Sequence, residues 1–521
     1  SFSRSITIRG RGAGMGNPVR RFPIFSVDAA FAQACLSAKH GCRGAAHGME
    51  IATLLGMKQS KSLASLQHQA GTILIGVVAG GIAVAFHWVM NLAEETRADL
   101  ALMAVGHGIA AMVAVILACG LLAGMSVALV RLVAPQAEGS GIAAVLEAPR
   151  AAGHLPAFRV LWVKFVAGFC GLASGMPLGR EGPSVQIGAM TAVLLRRHGP
   201  RLVLFQRRAV SLGAAAGLAA AFNAPLSGVV FSFELLRQPF TIRNCFETIL
   251  VCAVADWTCR VFHGPILELP VPLVGFRDWH ELPVFVLVGL WTGLVVMAFQ
   301  TLLLFLARAF HRLGHHNATA IGLTAAWGCI LGCVLFVWPE VLGIGHELFH
   351  AAIADEMVLV VALAALGTRI LLTAASYATG APGGLIVPAL LFGVLAGQCF
   401  SAAFARWVTP IEPDFHAVCL VAGMAASIGG LFRAPLTATI IAVEITGTFD
   451  CLLEISIAYL ASHWLLDACH QPDLYAALGR IHRGDEPHGH RRTISARPAS
   501  GPEGHGQVAI QPEDPADEPI V

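Results

Sequence analysis

The chain reads Phe222-Asn-Ala-Pro-Leu-Ser-Gly-Val-Val-Phe-Ser-Phe-Glu234 and repeats this pattern 210 residues later as Phe432-Arg-Ala-Pro-Leu-Thr-Ala-Thr-Ile-Ile-Ala-Val-Glu444. Upstream, Gly179-Arg-Glu-Gly-Pro183 followed by Gly188 matches Gly384-Leu-Ile-Val-Pro388 followed by Gly393, at an offset of 205 residues. Internal repeats broken by Gly and Pro at corresponding positions are typical of transporters whose site lies between two halves. The sequence therefore predicts two halves of one architecture, and it leaves both a parallel and an inverted arrangement open.

The composition is that of a protein embedded in lipid. Of the 521 residues, 56% are hydrophobic and only 13% are charged, and the mean hydropathy is +0.70. A helix needs about 20 apolar residues to cross the hydrocarbon core. Four runs are long enough: Gly71–Leu92, Gly106–Val133, Leu282–Ala307 and Val358–Ala375. Three shorter runs are predicted to be half-helices buried in a bundle: Pro183–Leu195, Pro225–Leu236 and Pro435–Thr446.

The distribution of charge predicts orientation rather than a charged partner. The net charge is only +2, but five arginines fall between Arg196 and Arg208. Because Arg and Lys collect in cytoplasmic loops, this loop is expected inside, together with Arg237–Arg243 and the Arg480–Arg492 tail. No basic stripe is interleaved with aromatic residues, which argues against nucleic-acid binding. The thirteen cysteines lack the paired spacing of metal sites, so no metal is expected.

Three segments are expected along the chain. Residues 1–67 form a basic N-terminal extension, expected to be disordered or to reflect a start site assigned too far upstream. Residues 68–478 form one membrane domain, with repeats of roughly 68–265 and 280–478. Residues 479–521 are a polar tail, expected to be disordered and too short for a regulatory module.

The most informative motif is Gly179-Arg180-Glu181-Gly182-Pro183. Glycines free the backbone, and proline suits an early helical position, so a helix is predicted to begin here. Its unpaired N–H groups form a site for negative charge, and Glu181 places a carboxylate at that site. A carboxylate that leaves when an anion arrives or a proton neutralises it is a gate. Simple helix capping is the alternative role for Glu181.

Two further motifs carry similar chemistry. The repeat-mate Gly384-Leu385-Ile386-Val387-Pro388 lacks a charge but has the same break before a helix, so its N–H groups could face an anion. Gly139-Ser140-Gly141 begins another short apolar segment, and the Ser140 hydroxyl can donate to an anion. Taken alone, Ser140 would be read as an ordinary helix cap.

Taken together and in this order, these motifs resemble those of the CLC family of chloride channels and chloride/proton antiporters, over about Gly71 to Tyr475. The resemblance implies an all-α integral membrane protein, an inverted repeat of many tilted and broken transmembrane helices with re-entrant half-helices. It also implies a homodimer with one anion pathway per subunit. In that pattern, Ser140, Tyr475 and the N–H groups of Leu385 and Ile386 hold the anion, and Glu181 is the gate. An interfacial anchor is the alternative role for Tyr475.

The chain departs from the family pattern at three positions. Ala143 replaces the usual Pro of the first motif, and Ile386 replaces the usual Phe of the third. Antiporters of the family commonly carry a Glu-Glu pair on the proton route, and here Glu234 is followed by Leu235, which cannot carry a proton. Glu234 is interpreted as mainly structural, with a role as substitute proton relay as the alternative.

These observations favour chloride transport through a glutamate-gated pore that is channel-like or weakly coupled to protons. The alternative is a chloride/proton antiporter with a substituted internal relay. An intramembrane hydrolase using Ser140 or His87 is disfavoured, since no nucleophile and base stand at an enzymatic spacing. No cofactor is expected, and the expected location is a bacterial-type inner membrane.

Overall fold

The computed structural model describes residues 44–148, 155–198, 206–264, 281–408, 413–447 and 449–482. Across these residues the chain is helical, and the sole β pairing among them is an antiparallel bridge between Gly179 and Gly384. The predicted all-α fold is confirmed. The first eight helices are α1 (Gly44–His107), α2 (Ile109–Val133), α3 (Ile142–Glu147), α4 (Ala157–Ala173), α5 (Glu181–His198), α6 (Gln206–Phe222), α7 (Pro225–Glu234) and α8 (Ile242–His263). The next nine are α9 (Leu282–Leu313), α10 (Asn317–Val337), α11 (His346–Ile353), α12 (Leu359–Ala378), α13 (Ile386–Trp407), α14 (Pro413–Phe432), α15 (Pro435–Thr446), α16 (Leu452–Ala468) and α17 (Leu474–His482).

Seven helices of the described chain are long and apolar enough to cross a membrane: the Gln67–His107 part of α1, then α2, α9, α10, α12, α13 and α14. The run predicted over Gly106–Val133 contains one span, α2, which begins at Ile109 because Gly108 interrupts the helix with a φ of 87°. Helix α5 is longer than the half-helix predicted over Pro183–Leu195, since Pro183 is tolerated in its first turn. Helices α7 and α15 have 10 and 12 residues and are too short to cross alone.

Helical structure extends beyond both predicted edges of the membrane domain, although the first candidate span itself begins at Gln67, next to the predicted edge at 68. Helix α1 begins at Gly44, inside the stretch 1–67 that was expected to lack structure. No proline lies between Gly44 and His107. The helix can therefore continue on the N-terminal side of its apolar segment without a break. Helix α17 continues to His482, four residues past the predicted boundary at 478. The rest of the predicted extension (1–43) and of the tail (483–521) lies outside the described residues.

The order of elements occurs twice. Helices α1 to α8 recur as α9 to α16, and α17 is additional. The correspondence extends to detail: a 3-10 turn at Pro135–Ala137 has a counterpart at Pro339–Val341. Each turn leads into a Gly-X-Gly loop with left-handed glycines, Gly139 and Gly141 in the first half and Gly343 and Gly345 in the second. The repeat seen in two sequence motifs therefore spans the whole membrane body.

The two halves are inverted relative to each other. The Glu234 carboxylate at the end of α7 accepts hydrogen bonds from Leu436 N (3.0 Å), Thr437 N (2.7 Å) and Thr437 Oγ1 (2.6 Å) at the start of α15. Reciprocally, Glu444 near the end of α15 accepts from Leu226 N (3.0 Å), Ser227 N (2.6 Å) and Ser227 Oγ (2.6 Å) at the start of α7. Each helix caps the other, so the repeat-mates run antiparallel. This contact decides the arrangement that the sequence left open.

Small residues let the helices behind the site cross closely. A Cβ on Gly188 of α5 would collide with the carbonyl oxygen of Gly213 on α6. A Cβ on Gly393 of α13 would collide in the same way with the carbonyl oxygen of Gly423 on α14. Glycine crossings of this kind bring backbones together where lipid supplies no hydrophobic force between helices. They fix the two helices whose N-termini form the site.

Candidate functional site

The three glycine motifs meet at the centre of the protein. Gly179 N donates to Gly384 O at 2.9 Å, and Gly384 N donates to Gly179 O at 2.6 Å. Gly383 N donates to Gly139 O at 3.0 Å, which joins the third loop to this pair. The segments before α3, α5 and α13 are therefore held together by their backbones. Three helix starts converge on one small region.

The motif glycines are required by these contacts. A Cβ on Gly182 would lie 2.8 Å from Ser140 Cβ and 2.9 Å from Gly384 Cα. A Cβ on Gly384 would lie 2.8 Å from Gly182 N. Gly141, with a φ of 77°, would push a Cβ into the Gln186 side chain. Any larger residue at these positions would separate the three loops.

The starts of α5 and α13 present their N–H groups at this junction. The first residues are Glu181 in α5 and Ile386 in α13, where Leu385 is the preceding N-cap. Pro183 and Pro388 are each the third residue of their helix, where the missing N–H costs no internal hydrogen bond. The first N–H groups of a helix have no acceptor within it and carry the positive end of the dipole. Both helix starts are thus suited to negative charge.

The two predicted hydroxyl donors lie side by side. Ser140 is 2% exposed and Tyr475 is 8% exposed, and both line one cavity of about 520 Å³. The Tyr475 hydroxyl is buried and faces the Ser140 side chain. Its ring stacks on Phe432 at 5.5 Å. Asp473, whose Oδ1 accepts from Ala476 N at 3.1 Å, caps α17 and thereby fixes the tyrosine in the first turn.

Glu181 lies at the junction and is 2% exposed. Its Oε1 is 3.7 Å from Arg180 Nε, and the Arg180 Nη1 donates to Asn91 Oδ1 at 3.0 Å. A Cβ on Gly179 would lie 2.5 Å from Glu181 Oε2, so the glycine makes room for the carboxylate. The carboxylate is therefore packed into the protein at the positive end of α5.

The cavities around the site differ greatly in size. One of about 770 Å³ is lined by Tyr475 and by three arginines, Arg207, Arg237 and Arg433. The cavity beside Glu181 holds only about 20 Å³, which is room for about one water molecule. Access is wide next to Tyr475 and nearly closed next to Glu181. The larger cavity is also lined by three carboxylates, Glu147, Glu234 and Asp473, and two of the arginines come from segments predicted to be cytoplasmic.

Glu234 lines the large cavity, as does Leu235. Its carboxylate is engaged by the three donors at the start of α15 described above. The geometry gives Glu234 a capping role, shared with its repeat-mate Glu444, and its role as a proton relay stays a prediction.

Sequence reasoning missed two buried cations that support the loops. Lys164 of α4, fully buried, donates to Gly139 O at 2.6 Å. Arg369 of α12, also fully buried, donates to Gly343 O at 2.9 Å and to Ile344 O at 3.0 Å. Arg369 lies 205 residues after Lys164, the offset already found between the glycine motifs. That offset, applied to single basic residues inside apolar helices, was the signal that could have found them.

Tyr377 was also missed. It is the penultimate residue of α12, and its hydroxyl accepts from Ser140 N at 3.4 Å. It lines the same 520 Å³ cavity as Ser140 and Tyr475. Two of the three tyrosines in the chain therefore stand at this site.

Comparison with known proteins gives consistent matches. The family described as "Voltage gated chloride channel" matches residues 119–467. A H(+)/Cl(-) exchange transporter ClcA of Salmonella arizonae is 30% identical over 415 residues, 78% of this chain and 86% of the relative. The ClcA of Vibrio cholerae serotype O1 is 31% identical over 403 residues, 75% of this chain and 84% of the relative.

Solved structures agree with these matches. A slow cyanobacterial Cl-/H+ antiporter superposes with a TM-score of 0.74 at 25% identity, covering 80% of this chain and 98% of that one. A eukaryotic CLC transporter superposes with a TM-score of 0.66 at 22% identity, covering 80% and 74%. The similarity thus extends over most of the described helices.

Proposed function

The chain belongs to the voltage-gated chloride channel (CLC) family of multi-pass membrane proteins, and we propose that it transports chloride through a pathway gated by Glu181. One observation carries the proposal. Two inverted halves direct the N-termini of α5 and α13 to the same region, and a buried carboxylate stands at one of them. Such a site attracts an anion and already contains a competitor for it.

The residues divide the task as follows. Arginines on the wide side offer positively charged groups to an entering anion. Chloride then meets the hydroxyls of Ser140 and Tyr475 and the N–H groups of Leu385 and Ile386. The Glu181 carboxylate blocks the narrow side until an anion displaces it or a proton neutralises it. No cofactor takes part, and we propose transport rather than catalysis because these groups bind anions and present no nucleophile with a base.

Chloride movement can be coupled to protons weakly or not at all, or it can be coupled in chloride/proton exchange. Leu235 favours chloride movement that is channel-like or only weakly coupled, because leucine offers no site for a proton. The second version is chloride/proton exchange with another group in place of the usual glutamate. The names of the relatives favour it, since they are exchange transporters and antiporters. Glu147, which lines both large cavities, is another carboxylate on that side.

The deciding experiment is the reversal potential of purified protein in liposomes, with a chloride gradient imposed and the pH gradient varied independently. A potential that follows chloride alone supports the uncoupled version. A potential that moves with pH, together with protons driven uphill by chloride, supports exchange. Chloride flux no greater than that of empty liposomes would contradict the proposed function itself.

We further propose that the protein acts as a homodimer in a bacterial-type inner membrane, as the family implies. The pathway residues all belong to one chain, so each subunit would carry a complete pathway. Chemical cross-linking of the protein in membranes, at low and high expression, tests the dimer. A monomer at both levels would contradict it.

A further inference from the structure

The inference concerns Tyr377 and rests on the proposed function of the site. Its hydroxyl stands against Ser140 in two ways: it accepts from Ser140 N at 3.4 Å and donates to Ser140 Oγ at 3.5 Å. The same Oγ also accepts from Ile142 N at 3.3 Å. Ser140 is therefore contacted by the first residue of α3 and by a tyrosine from the other half of the protein.

The hydrogen bonds that Ser140 Oγ accepts determine where its own proton can point. A serine hydroxyl has one proton to donate and two lone pairs that accept. Tyr377 O–H and Ile142 N–H occupy the two accepting positions of Ser140 Oγ. Its single proton is then left for the side of Ser140 that faces Tyr475 and the cavity that the two residues share. If Ser140 donated to Tyr377 instead, it would have no proton left for an anion.

Packing holds Tyr377 in this position. It is 8% exposed, and a Cβ on Gly139 would lie 2.9 Å from its hydroxyl oxygen and 3.2 Å from Cζ. The ring therefore lies directly against the backbone of the first motif. Gly380, close behind it in the chain, leads on to Gly383, whose N–H donates to Gly139 O at 3.0 Å. The glycine loops therefore hold both Tyr377 and the Gly139–Ser140 backbone in place.

We propose that Tyr377 is a positioning residue of the anion site, whose hydroxyl fixes the Ser140 hydroxyl as a donor to chloride. Tyr377 itself need not touch the anion. Its effect passes through Ser140, and this separates it from a residue that merely fills space or binds chloride independently.

The variant Tyr377→Phe removes one oxygen and keeps the ring. Its chloride affinity is measured by calorimetry on purified protein, next to wild type, Ser140→Ala and the double variant. Losing the net contribution of one hydrogen bond predicts about 2- to 10-fold weaker chloride binding in Tyr377→Phe. In the Ser140→Ala background the same change is expected to have no further effect, because the hydroxyl that it positions is gone.

The matched control is Tyr459→Phe. Tyr459 is buried on α16, stacks on His463 at 5.6 Å and lies outside the anion site. This variant should bind chloride as wild type does. Thermal unfolding of every variant checks the fold, so a loss of affinity without a matched loss of stability supports the inference.

Three outcomes would overturn it. Wild-type affinity in Tyr377→Phe means that the hydroxyl positions nothing, while the proposed function remains intact. An equal loss in the wild-type and Ser140→Ala backgrounds means that Tyr377 acts independently of Ser140. Failure of the wild-type protein to bind or move chloride contradicts the proposed function, and this inference with it.

Discussion

The Glu181 carboxylate and a chloride ion are stabilised by the same environment. Both are stabilised by the N–H groups at the start of a helix, and two negative charges cannot share that position at low cost. The carboxylate is 2% exposed and adjoins a cavity of only about 20 Å³. In the proposed mechanism its departure opens the narrow side. Protonation removes its charge and weakens its hold on the site. Flux is therefore expected to rise as pH falls.

The first prediction concerns this carboxylate. In Glu181→Gln, chloride efflux from liposomes should persist, and the ratio of efflux at acidic pH to efflux at neutral pH should fall to unity. The neutral amide cannot change charge with pH, so the competition no longer depends on protons. Glu181→Ala should behave in the same way and should also widen the narrow side.

The control for this experiment is Glu356→Gln, an exposed carboxylate in the turn after α11. It should retain the pH dependence of the wild-type protein. Wild-type pH dependence in both Glu181 variants would rule out the gating role and leave Glu181 as a helix cap.

Among the elements, the pair α7 and α15 shows how two half-helices too short to span a membrane are stabilised. Each start receives a carboxylate from the end of the other helix, through two N–H groups and one hydroxyl. Buried helix starts without acceptors would be costly in a membrane. The carboxylates of Glu234 and Glu444 therefore act as the caps that hold the two halves together.

The second prediction follows from this reciprocity. Glu234→Ala and Glu444→Ala should each lower the free energy of unfolding by a similar amount, about 1–3 kcal/mol, because each leaves buried donors without an acceptor. Thermal unfolding in detergent measures the loss, with Glu356→Ala as the control. A large loss at one position and none at the other would contradict equivalent roles.

The same pair separates capping from proton transfer. Glu234→Gln and Glu444→Gln both keep an acceptor oxygen and lose the charge. If Glu234 is only a cap, the two variants should have the same proton coupling, measured as in the reversal-potential experiment. Coupling lost in Glu234→Gln alone would make Glu234 the relay.

Much of this arrangement could be predicted from the sequence, because glycine, proline and a charge inside apolar runs have few structural explanations. The motifs at Gly139, Gly179 and Gly384 marked the helix starts that converge. The inverted sense of the repeat could be predicted from the family resemblance but not from the two repeated motifs alone, since it depends on which helix end meets Glu234 and Glu444. Tyr377 was missed for the same reason: only the fold brings it to Ser140, 237 residues away.

At the scale of the whole molecule, a symmetric scaffold carries an asymmetric site. Ser140 and Ile344 occupy the same position in the two Gly-X-Gly loops, and a buried cation supports each loop. In the second loop, Ile344 N donates to the Glu94 carboxylate at 2.6 Å. An internal carboxylate therefore fills the position that an anion could otherwise take. In the proposed function the first loop alone serves chloride, which gives one anion site per chain.

The last prediction tests whether that site is complete within one chain. Glu181, Ser140, Tyr475 and the start of α13 all belong to the same polypeptide and surround a shared junction. When wild type and Glu181→Gln are co-expressed in varied ratios, the pH-dependent part of chloride efflux should fall in direct proportion to the fraction of variant chains. Each wild-type chain should keep its own gate whatever its neighbour carries. A loss of pH dependence steeper than the variant fraction would mean that one chain's carboxylate controls another chain's pathway, and that the site is shared.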